Sequence, residues 1–184
     1  MKLIFVTSNE NKYNEAKYIF SKFNIDVIWH QLEYPEIQSM SIEQIAEWSA
    51  KYVYSVLKKP LFLEDTGLFI DALSGFPGPY SSYVYKTIGN EGILKLMNGV
   101  ANRKAYFLTV VAYVDENGVK LFKGRVNGVI SKSIRGTKWG FDPIFIPEGM
   151  DKTYSELGEI KNKISHRKKA YDEFINWLLE HKRK

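Results

Sequence analysis

The sequence predicts an α/β fold in which helices flank a central mixed β-sheet and two lobes enclose a cleft. Before residue 66, short apolar segments alternate with amphipathic segments in the order strand, helix, strand, helix, strand. That alternation is typical of a partly parallel sheet with helices on its faces. Further along, two β-type segments at 105–114 and 119–130 flank the turn-forming letters DENG, and this arrangement predicts a long hairpin.

Hydrophobic periodicity defines the elements of the opening region. It predicts strands at 2–7, 27–32 and 61–65, with helices at 11–23 and 42–57 between them. The letters SIEQ, which open the second helix, form a capping box. Apolar residues at helical spacing predict the buried faces. These are Ala16, Ile19, Phe20 and Phe23 in the first helix, and Ile42, Ile45, Ala46, Ser49, Val53 and Val56 in the second.

The remainder of the chain is predicted to mix loops with shorter helices. A rigid loop, GFPGPY, follows at 75–80, short helices are expected at 82–88 and 91–97, and a second loop spans 136–143. The last helix is expected to begin at about Ser165 and to bury Ala170, Phe174, Trp177 and Leu178. Because no repeat or linker interrupts the chain, residues 1–184 are expected to form one domain with two lobes.

Composition narrows the class of protein. Hydrophobic residues make up 45% of the chain and charged residues 26%, which is typical of a folded globular protein. No apolar run reaches the length of a membrane span, and the opening letters MKLIFVTSNE resemble a strand more than a signal peptide. A cytoplasmic location without a membrane partner is therefore expected. The absence of Cys excludes disulfides, thiolate nucleophiles and Cys-ligated metals.

The net charge of +5 favours anionic partners. Part of that charge lies in the terminal letters HKRK at 181–184. This tail is interpreted first as a solvated helix end, and a nucleic-acid-binding arm is the alternative.

A candidate phosphate site lies where the first strand meets the first helix, in the letters TSNENK at 7–12. A helix N-terminus presents unpaired N–H groups and the positive end of the helix dipole, both of which suit phosphate. Thr7, Ser8 and Asn9 add short polar side chains, and Lys12 adds a full charge about one turn into the helix. An ordinary capped turn explains the same residues, and neither a P-loop nor a dinucleotide fingerprint is present.

A candidate metal site lies at the predicted end of the third strand. Glu64 and Asp65 precede Thr66 there, and Glu36 follows the second strand. Carboxylates that converge repel one another unless a cation neutralises them, and oxygen ligands in a chain with few His favour Mg²⁺. Surface charges or helix caps are the alternative interpretation.

Two further segments carry candidate binding residues. In the letters WGFDP at 139–143, Trp139 and Phe141 offer aromatic faces for a base, while Gly140 leaves space for a flat ring. In the letters KNKISHR at 161–167, His166 and Arg167 are adjacent, so they point in different directions on a helix. The alternative for segment 139–143 is a pair of core aromatics beside a turn. The alternative for segment 161–167 is the basic, solvated first turn of a helix.

Taken together, the motifs resemble those of the inosine triphosphate pyrophosphatase family. The family patterns TxNxxK, EDSGL or EDTGL, FPGxYS, FGYDPIF and KNxxSHR match residues 7–12, 64–68, 76–81, 139–145 and 161–167, in that order. The resemblance runs nearly from end to end. It implies that the chain shares its fold with the Maf-like proteins and that it forms a homodimer. It also implies Mg²⁺-dependent cleavage of ITP, dITP and XTP to monophosphate and pyrophosphate, which removes non-standard purines from nucleotide pools.

The resemblance also implies roles for individual residues. The phosphates are expected to contact Thr7, Ser8, Asn9 and Lys12. Mg²⁺ is expected to bind Glu36 and Asp65. The other residues expected to contact the nucleotide are Thr66, Trp139, Gly140, Phe141, Asp142, Lys161, His166 and Arg167. Asp65 and Lys12 are the expected catalytic residues, with Asp65 activating water. Asp142, His166 and Arg167 are expected to recognise the edge of the base, and Lys161 to reach the nucleotide from the same helical region.

Some positions depart from the family patterns. Lys138 stands where many members have Gly, Trp139 replaces Phe, and Phe141 replaces Tyr or Trp. The segment before Lys161 is one residue shorter than usual, which leaves the placement of Lys161 open. Two other functions are alternatives. The aromatic loop and the SHR letters favour the purine enzyme over a Maf-like pyrophosphatase for pyrimidine triphosphates, and a basic nucleic-acid-binding module does not explain the acidic residues.

Overall fold

A computed structural model describes residues 1–181 of the chain. The strands are β1 (Lys2–Val6), β2 (Asp26–His30), β3 (Leu61–Ile70), β4 (Pro77–Gly78), β5 (Lys104–Asp115), β6 (Gly118–Ile130) and β7 (Phe145–Pro147). They form one seven-stranded sheet in the order β2-β1-β3-β5-β6-β7, and β4 pairs with β3. The helices are α1 (Glu10–Ser21), α2 (Ile42–Leu57), α3 (Ser81–Thr87), α4 (Gly89–Leu96), α5 (Tyr154–Leu157), α6 (Lys161–Ile164) and α7 (His166–His181).

The sheet contains both parallel and antiparallel pairs. Strand β1 is parallel to β2 and to β3, whereas β3 with β4 and β6 with β7 are antiparallel. The two-residue connection between β5 and β6 is the predicted hairpin turn. The mixed sheet with its flanking helices confirms the predicted fold class.

Strand β3 differs from the prediction because it continues five residues beyond Asp65, to Ile70. Its parallel partner β1 ends at Val6, close to the last pair, Phe5 with Phe62. Beyond this point β3 pairs with β4 at Leu68 and Phe69. Glu64 and Asp65 therefore lie just past the carboxyl end of β1, although β3 itself does not end there.

The described residues divide into two compact units. Unit 1 comprises residues 1–65, 109–124 and the chain from 167 onward, and unit 2 comprises residues 66–108 and 125–166. Each unit has its own hydrophobic cluster. In unit 1, Phe20, Phe62 and Phe174 pack with one another, and in unit 2, Phe107 packs on Phe145 and Tyr154. The cleft expected from the sequence stays a prediction.

Most predicted helix faces are buried, with one error. Val56 on α2 was expected to face inward, yet it is 54% exposed because it lies in the last turn, next to the left-handed Lys58 that ends the helix.

Of the terminal HKRK letters, residues 182–184 lie outside the described residues. Between residues 1 and 181, no helix is both long and apolar enough to cross a membrane.

Gly128 on β6 provides a test of packing in unit 2. A Cβ atom at this position would lie 2.3 Å from the carbonyl oxygen of Ile146 and 2.6 Å from the Phe145 ring. We therefore expect Gly128→Ala to lower the free energy of unfolding by about 1–3 kcal/mol, because overpacking forces backbone and ring to shift. Val129→Ala, at an exposed position of the same strand, is the control and should cost less than about 1 kcal/mol. Urea unfolding measures both, and equal losses would contradict the packing argument.

Candidate active site

The turn between β1 and α1 is organised by its own polar side chains. Asn9 is the N-cap of α1, and its Oδ1 accepts hydrogen bonds from the N–H groups of Asn11 and Lys12, at 2.9 and 3.2 Å. The Thr7 hydroxyl accepts from the N–H of Asn9 at 3.1 Å. Ser8 lies between them in the same turn. The cap orients the first turn of α1, so that the helix N-terminus and Lys12 are held in a defined arrangement.

Two aromatic residues support this turn from the side. The indole Nε1 of Trp29 on β2 donates to the carbonyl oxygen of Thr7 at 2.8 Å. The rings of Trp29 and Tyr13 stack with centroids 4.8 Å apart. Because Tyr13 directly follows Lys12, the stack links β2 to the helix turn that carries the lysine.

Lys12 lies against the backbone and side chain of Glu64. Its Nζ is 3.3 Å from Glu64 Oε1 and 3.4 Å from the Glu64 carbonyl oxygen, and the lysine side chain keeps 18% of its exposure. An ammonium group has three N–H donors. The lysine thus faces Glu64 while it remains partly accessible to a ligand.

Glu64 is a buried carboxylate with several donors around it. Its side chain is fully buried, and both of its oxygens accept from Arg167 Nε at 3.0 Å, while Oε2 also accepts from the Tyr171 hydroxyl at 2.8 Å. Burial alone would raise the pKa of Glu64, but the charges of Arg167 and Lys12 and these hydrogen bonds outweigh it and lower the pKa. Glu64 is therefore ionised at neutral pH.

Arg167 is enclosed by carboxylates. Its guanidinium is 1% exposed, and its Nη1 pairs with Glu15 on α1 at 2.6 Å, in addition to the contact with Glu64. The role of Arg167 in recognising a base stays a prediction. The described contacts place the guanidinium in the core of unit 1, among the residues that surround Lys12.

Asp65 has the opposite electrostatic environment to Glu64. Burial raises its pKa from an ordinary 3.8 to about 6; the nearby charges of Glu36 and Glu64 add to the increase, and Lys12 opposes it. Burial and the charges of Asp65 and Glu36 also raise the pKa of Tyr34. Ionised Asp65 is therefore poorly solvated and lies among like charges, an environment in which a cation would be stabilised.

The predicted metal ligands are brought near each other only in part. The charge of Glu36 acts on Asp65, but residues 1–181 contain no group of three or more His, Cys, Asp or Glu arranged to hold a metal ion. Two carboxylates supply hard oxygen ligands, and Mg²⁺ commonly takes only one or two carboxylates together with substrate phosphates and water. The donor set therefore fits Mg²⁺.

In unit 2, Asp142 and Lys161 form a buried ion pair. Lys161 Nζ donates to Asp142 Oδ2 at 2.6 Å, and both side chains are almost fully buried. Lys161 begins the short helix α6, which is separate from α7. The last helix was expected to begin at about Ser165, and α7 begins at the next residue; the extended backbone of Ser165 separates α6 from α7.

Trp139 lies beside this ion pair. Lys161 Nζ is 5.4 Å from the centroid of the Trp139 ring, which is partly exposed. Gly140 has a positive φ of 66°, which favours glycine, and its carbonyl oxygen accepts from Asn90 Nδ2 at 3.1 Å. Phe141, in contrast, is 4% exposed and contacts Tyr85 edge to face. Of the two aromatics, Trp139 is the more accessible to a base.

The remaining predicted residues occupy different positions in unit 2. The imidazole of His166 is buried and stacks on Phe107 with ring centroids 4.4 Å apart. Thr66 follows Asp65 in β3 and is partly buried. The adjacent His166 and Arg167 contact residues of different units, in agreement with the expectation that their side chains point in different directions.

Comparison with known proteins identifies the family. A model of the Ham1 family matches residues 3–177. The chain belongs to the Ham1 family. Among Ham1 relatives, it is similar to the dITP/XTP pyrophosphatase of Methanopyrus kandleri, with 53% identity over 180 residues and 96% of each chain covered. It is also similar to the dITP/XTP pyrophosphatase of Thermococcus kodakarensis, with 52% identity over 182 residues and 98% of each chain covered.

Solved Ham1 structures share the fold. The Staphylococcus aureus Ham1 protein has a TM-score of 0.84 and 28% identity, with 98% of this chain and 99% of that chain covered. The Coxiella burnetii HAM1 protein has the same TM-score and coverage, with 25% identity. The likeness therefore extends over both units.

Three residues of this Ham1 site were missed from the sequence: Tyr171, Glu15 and Trp29. A signal existed for Tyr171, because residues 167, 171, 174 and 178 share one helical stripe and the last two were predicted to be buried. Glu15 is likewise one turn from Lys12 on α1. The indole donor of Trp29 had no comparable signal, because a strand residue gives no indication of which loop carbonyl it reaches.

The environment of Asp65 predicts a stability effect in this Ham1 protein. With a pKa raised to about 6, folded Asp65 binds its proton more tightly than the unfolded chain does. Stability therefore falls as pH rises from about 4 to about 6 and stays reduced above that. In EDTA at about pH 7.5, Asp65→Asn should raise the free energy of unfolding by about 1–3 kcal/mol, and the gain should shrink at about pH 4.

Urea unfolding at both pH values measures this effect. Asp151→Asn, at an exposed position, is the matched control and should leave stability nearly unchanged at either pH. A gain from Asp65→Asn that is the same at both pH values would show that charge burial is not its source.

Proposed function

We propose that the protein hydrolyses dITP, XTP and ITP to the nucleoside monophosphate and pyrophosphate. The observation that carries the proposal is that two neighbouring carboxylates near one lysine have different electrostatic environments. Glu64 is a buried partner of Lys12, whereas Asp65 carries a pKa raised to about 6. The similarity to relatives named dITP/XTP pyrophosphatase over nearly the whole chain supports the choice of substrate.

In the proposed reaction, water attacks the α-phosphorus and pyrophosphate leaves. Asp65 orients the water and accepts its proton. A carboxylate is an inefficient base at neutral pH when its pKa is near 4; burial raises the pKa of Asp65 in the metal-free protein, and a bound cation would instead favour the ionised carboxylate that accepts the proton. Phosphoryl chemistry of this kind depends on positioning and charge stabilisation, so no covalent intermediate is needed.

Lys12 and the α1 N-terminus would bind the phosphate chain. Lys12 provides a positive charge that stabilises the charge developing on the leaving pyrophosphate. The capped turn formed by Thr7, Ser8 and Asn9 holds the first turn of the helix, and with it Lys12, in place. Lys12 would contact phosphates rather than a base, so its contribution should be the same for every nucleoside triphosphate.

Mg²⁺ is the proposed cofactor, with Glu36 and Asp65 as its protein ligands. When bound, it would supply positive charge that neutralises both the carboxylates and the triphosphate. The electrostatic effect of Glu36 on Asp65 supports this choice of residues, because two neighbouring anions are stabilised by a shared cation.

Base recognition is proposed to combine stacking on Trp139, which any purine can use, with selection by the paired side chains of Asp142 and Lys161. Hypoxanthine and xanthine have an oxygen acceptor at position 6, whereas adenine has an amino donor there. The Lys161 ammonium is donor-only, and it lies 5.4 Å from the ring that would stack on a base. Because Arg167 is surrounded by Glu64 and Glu15, Lys161 is the donor we propose for that oxygen. Phe141 would position the loop through its buried ring.

The proposed assembly and setting follow the family resemblance. We propose a homodimer in the cytoplasm, the compartment that contains the nucleotide pools. Light scattering coupled to gel filtration distinguishes a dimer from a monomer of 21.3 kDa.

A substrate panel tests the proposed function directly. With Mg²⁺ present, ITP, dITP and XTP should be turned over much faster than ATP, dTTP and UTP, and pyrophosphate should form without a nucleoside diphosphate. Asp65→Asn is the matched control, and it should lose turnover by about two orders of magnitude or more, because the general base is removed. Preferential hydrolysis of dTTP or UTP would favour the Maf-like alternative, and orthophosphate with diphosphate would indicate attack at the γ-phosphorus.

Two variants separate base selection from base stacking. Lys161→Met should lower the ratio of kcat/KM for ITP over ATP by about tenfold or more, because a charged donor to the 6-oxygen is lost. Trp139→Ala should lower kcat/KM for both nucleotides while the ratio is kept, because any purine can stack on the indole. Steady-state kinetics with both substrates measures the ratios, and an unchanged ratio in Lys161→Met would remove Lys161 from base selection.

A further inference from the structure

Tyr171 on α7 has a polar contact that its packing does not require. Its ring is fully buried in the unit 1 cluster, edge to face with Phe20 at 5.0 Å and with Phe62 at 6.3 Å. A phenylalanine would fill the same space. The hydroxyl nonetheless donates to Glu64 Oε2 at 2.8 Å, as expected for a tyrosine that is buried with its polar end satisfied.

That hydrogen bond makes the surroundings of the two Glu64 oxygens different. Arg167 Nε is 3.0 Å from each carboxylate oxygen, so this contact alone treats the two oxygens alike. Tyr171 contacts Oε2, and Lys12 meets Oε1 at 3.3 Å. The hydroxyl and the ammonium thus use different oxygens of the same carboxylate.

The length of the lysine contact is important for phosphate binding. At 3.3 Å to Oε1 and 3.4 Å to the backbone carbonyl, Lys12 is held near Glu64 by long contacts. Charge-assisted hydrogen bonds of this type are usually about 2.7–2.9 Å. Without the Tyr171 hydroxyl, Oε2 would lose a donor and the carboxylate would attract the ammonium more strongly, so that less of the lysine's charge and fewer of its N–H groups would remain for a phosphate.

We infer that Tyr171 is a positioning residue for the phosphate site: its hydroxyl donates to the Glu64 carboxylate, so that Lys12 stays available to the triphosphate. The inference rests on the proposed function only in that Lys12 binds phosphate. It predicts an effect that is common to every polyphosphate, because neither Tyr171 nor Glu64 contacts a base in this arrangement.

The experiment measures binding of magnesium tripolyphosphate, a probe without a base, by isothermal titration calorimetry. Tyr171→Phe keeps the ring and removes the hydroxyl. It should weaken binding by about three- to tenfold, the usual effect of one lost hydrogen bond to a charged group or less. In a Lys12→Met background the same change should have no further effect, because the residue through which Tyr171 acts is already removed.

Tyr113 provides a matched control. It belongs to the same hydrophobic cluster, and its hydroxyl donates to a carboxylate oxygen of Asp115 at 3.2 Å. Tyr113→Phe therefore removes a comparable buried hydrogen bond and should leave tripolyphosphate binding unchanged. Circular dichroism and thermal unfolding of both variants verify that each is folded at the titration temperature.

The outcomes separate the inference from the proposed function. Wild-type binding of tripolyphosphate, a weaker Tyr171→Phe variant and no loss in the Lys12→Met background support the inference, even if dITP and XTP are not hydrolysed. Equal losses with and without Lys12 would overturn it, since Tyr171 would then act on the fold alone. Unchanged binding in Tyr171→Phe, or no binding by the wild type, would also overturn it.

Discussion

The ionised side chain of Glu64, buried in unit 1, is the constraint on which the surrounding structure depends. A buried carboxylate is tolerated only when donors and opposite charges replace the water it has lost. Here Arg167 and Tyr171 from α7 and Lys12 from α1 supply them. The requirement therefore sets which faces of two helices meet β3. A carboxylate in an apolar cluster thus serves as the buried partner of Lys12, whose side chain stays partly exposed.

The next residue along β3, Asp65, has a less favourable electrostatic environment than Glu64. Asp65 lacks the dense set of donors that its neighbour has, and its ionised form is poorly stabilised by the protein alone. Sites that bind cations or activate water commonly carry such unfavourable charges in the absence of ligand. Within one dipeptide, the fold surrounds one carboxylate with donors and leaves the ionised form of the other poorly stabilised.

Much of this arrangement could be predicted from the sequence. Alternating apolar patterns identified the sheet, the hairpin and the long helices, and short motifs identified Lys12, Asp65, Asp142 and Trp139 as members of candidate sites. Local patterns could not show that Arg167 reaches Glu64, which is 103 positions away. Whether a polar residue faces solvent, a ligand or another charge depends on the tertiary packing of elements that are distant in sequence.

The same limit explains the errors at element boundaries. A run of polar letters after Leu63 indicated the end of a strand, but β3 continues to Ile70, and β4, a strand of only two residues, pairs with its later part. Such short strands contain too few residues for an alternating pattern. The short helix α6, which carries Lys161, was not predicted for a related reason, since one extended residue, Ser165, is enough to separate it from α7.

The adjacency of Glu64 and Asp65 has a consequence for how this segment can evolve. Successive side chains on a strand point to opposite faces, and Phe62, two residues before Glu64, contacts the same helix, α7, through Tyr171 and Phe174. Point substitutions between Leu61 and Leu63 change only local packing. Insertion or deletion of a single residue there would exchange the two faces, moving Asp65 toward Arg167 and Glu64 away from it. Insertions and deletions in this stretch should therefore be tolerated far less often during evolution than substitutions.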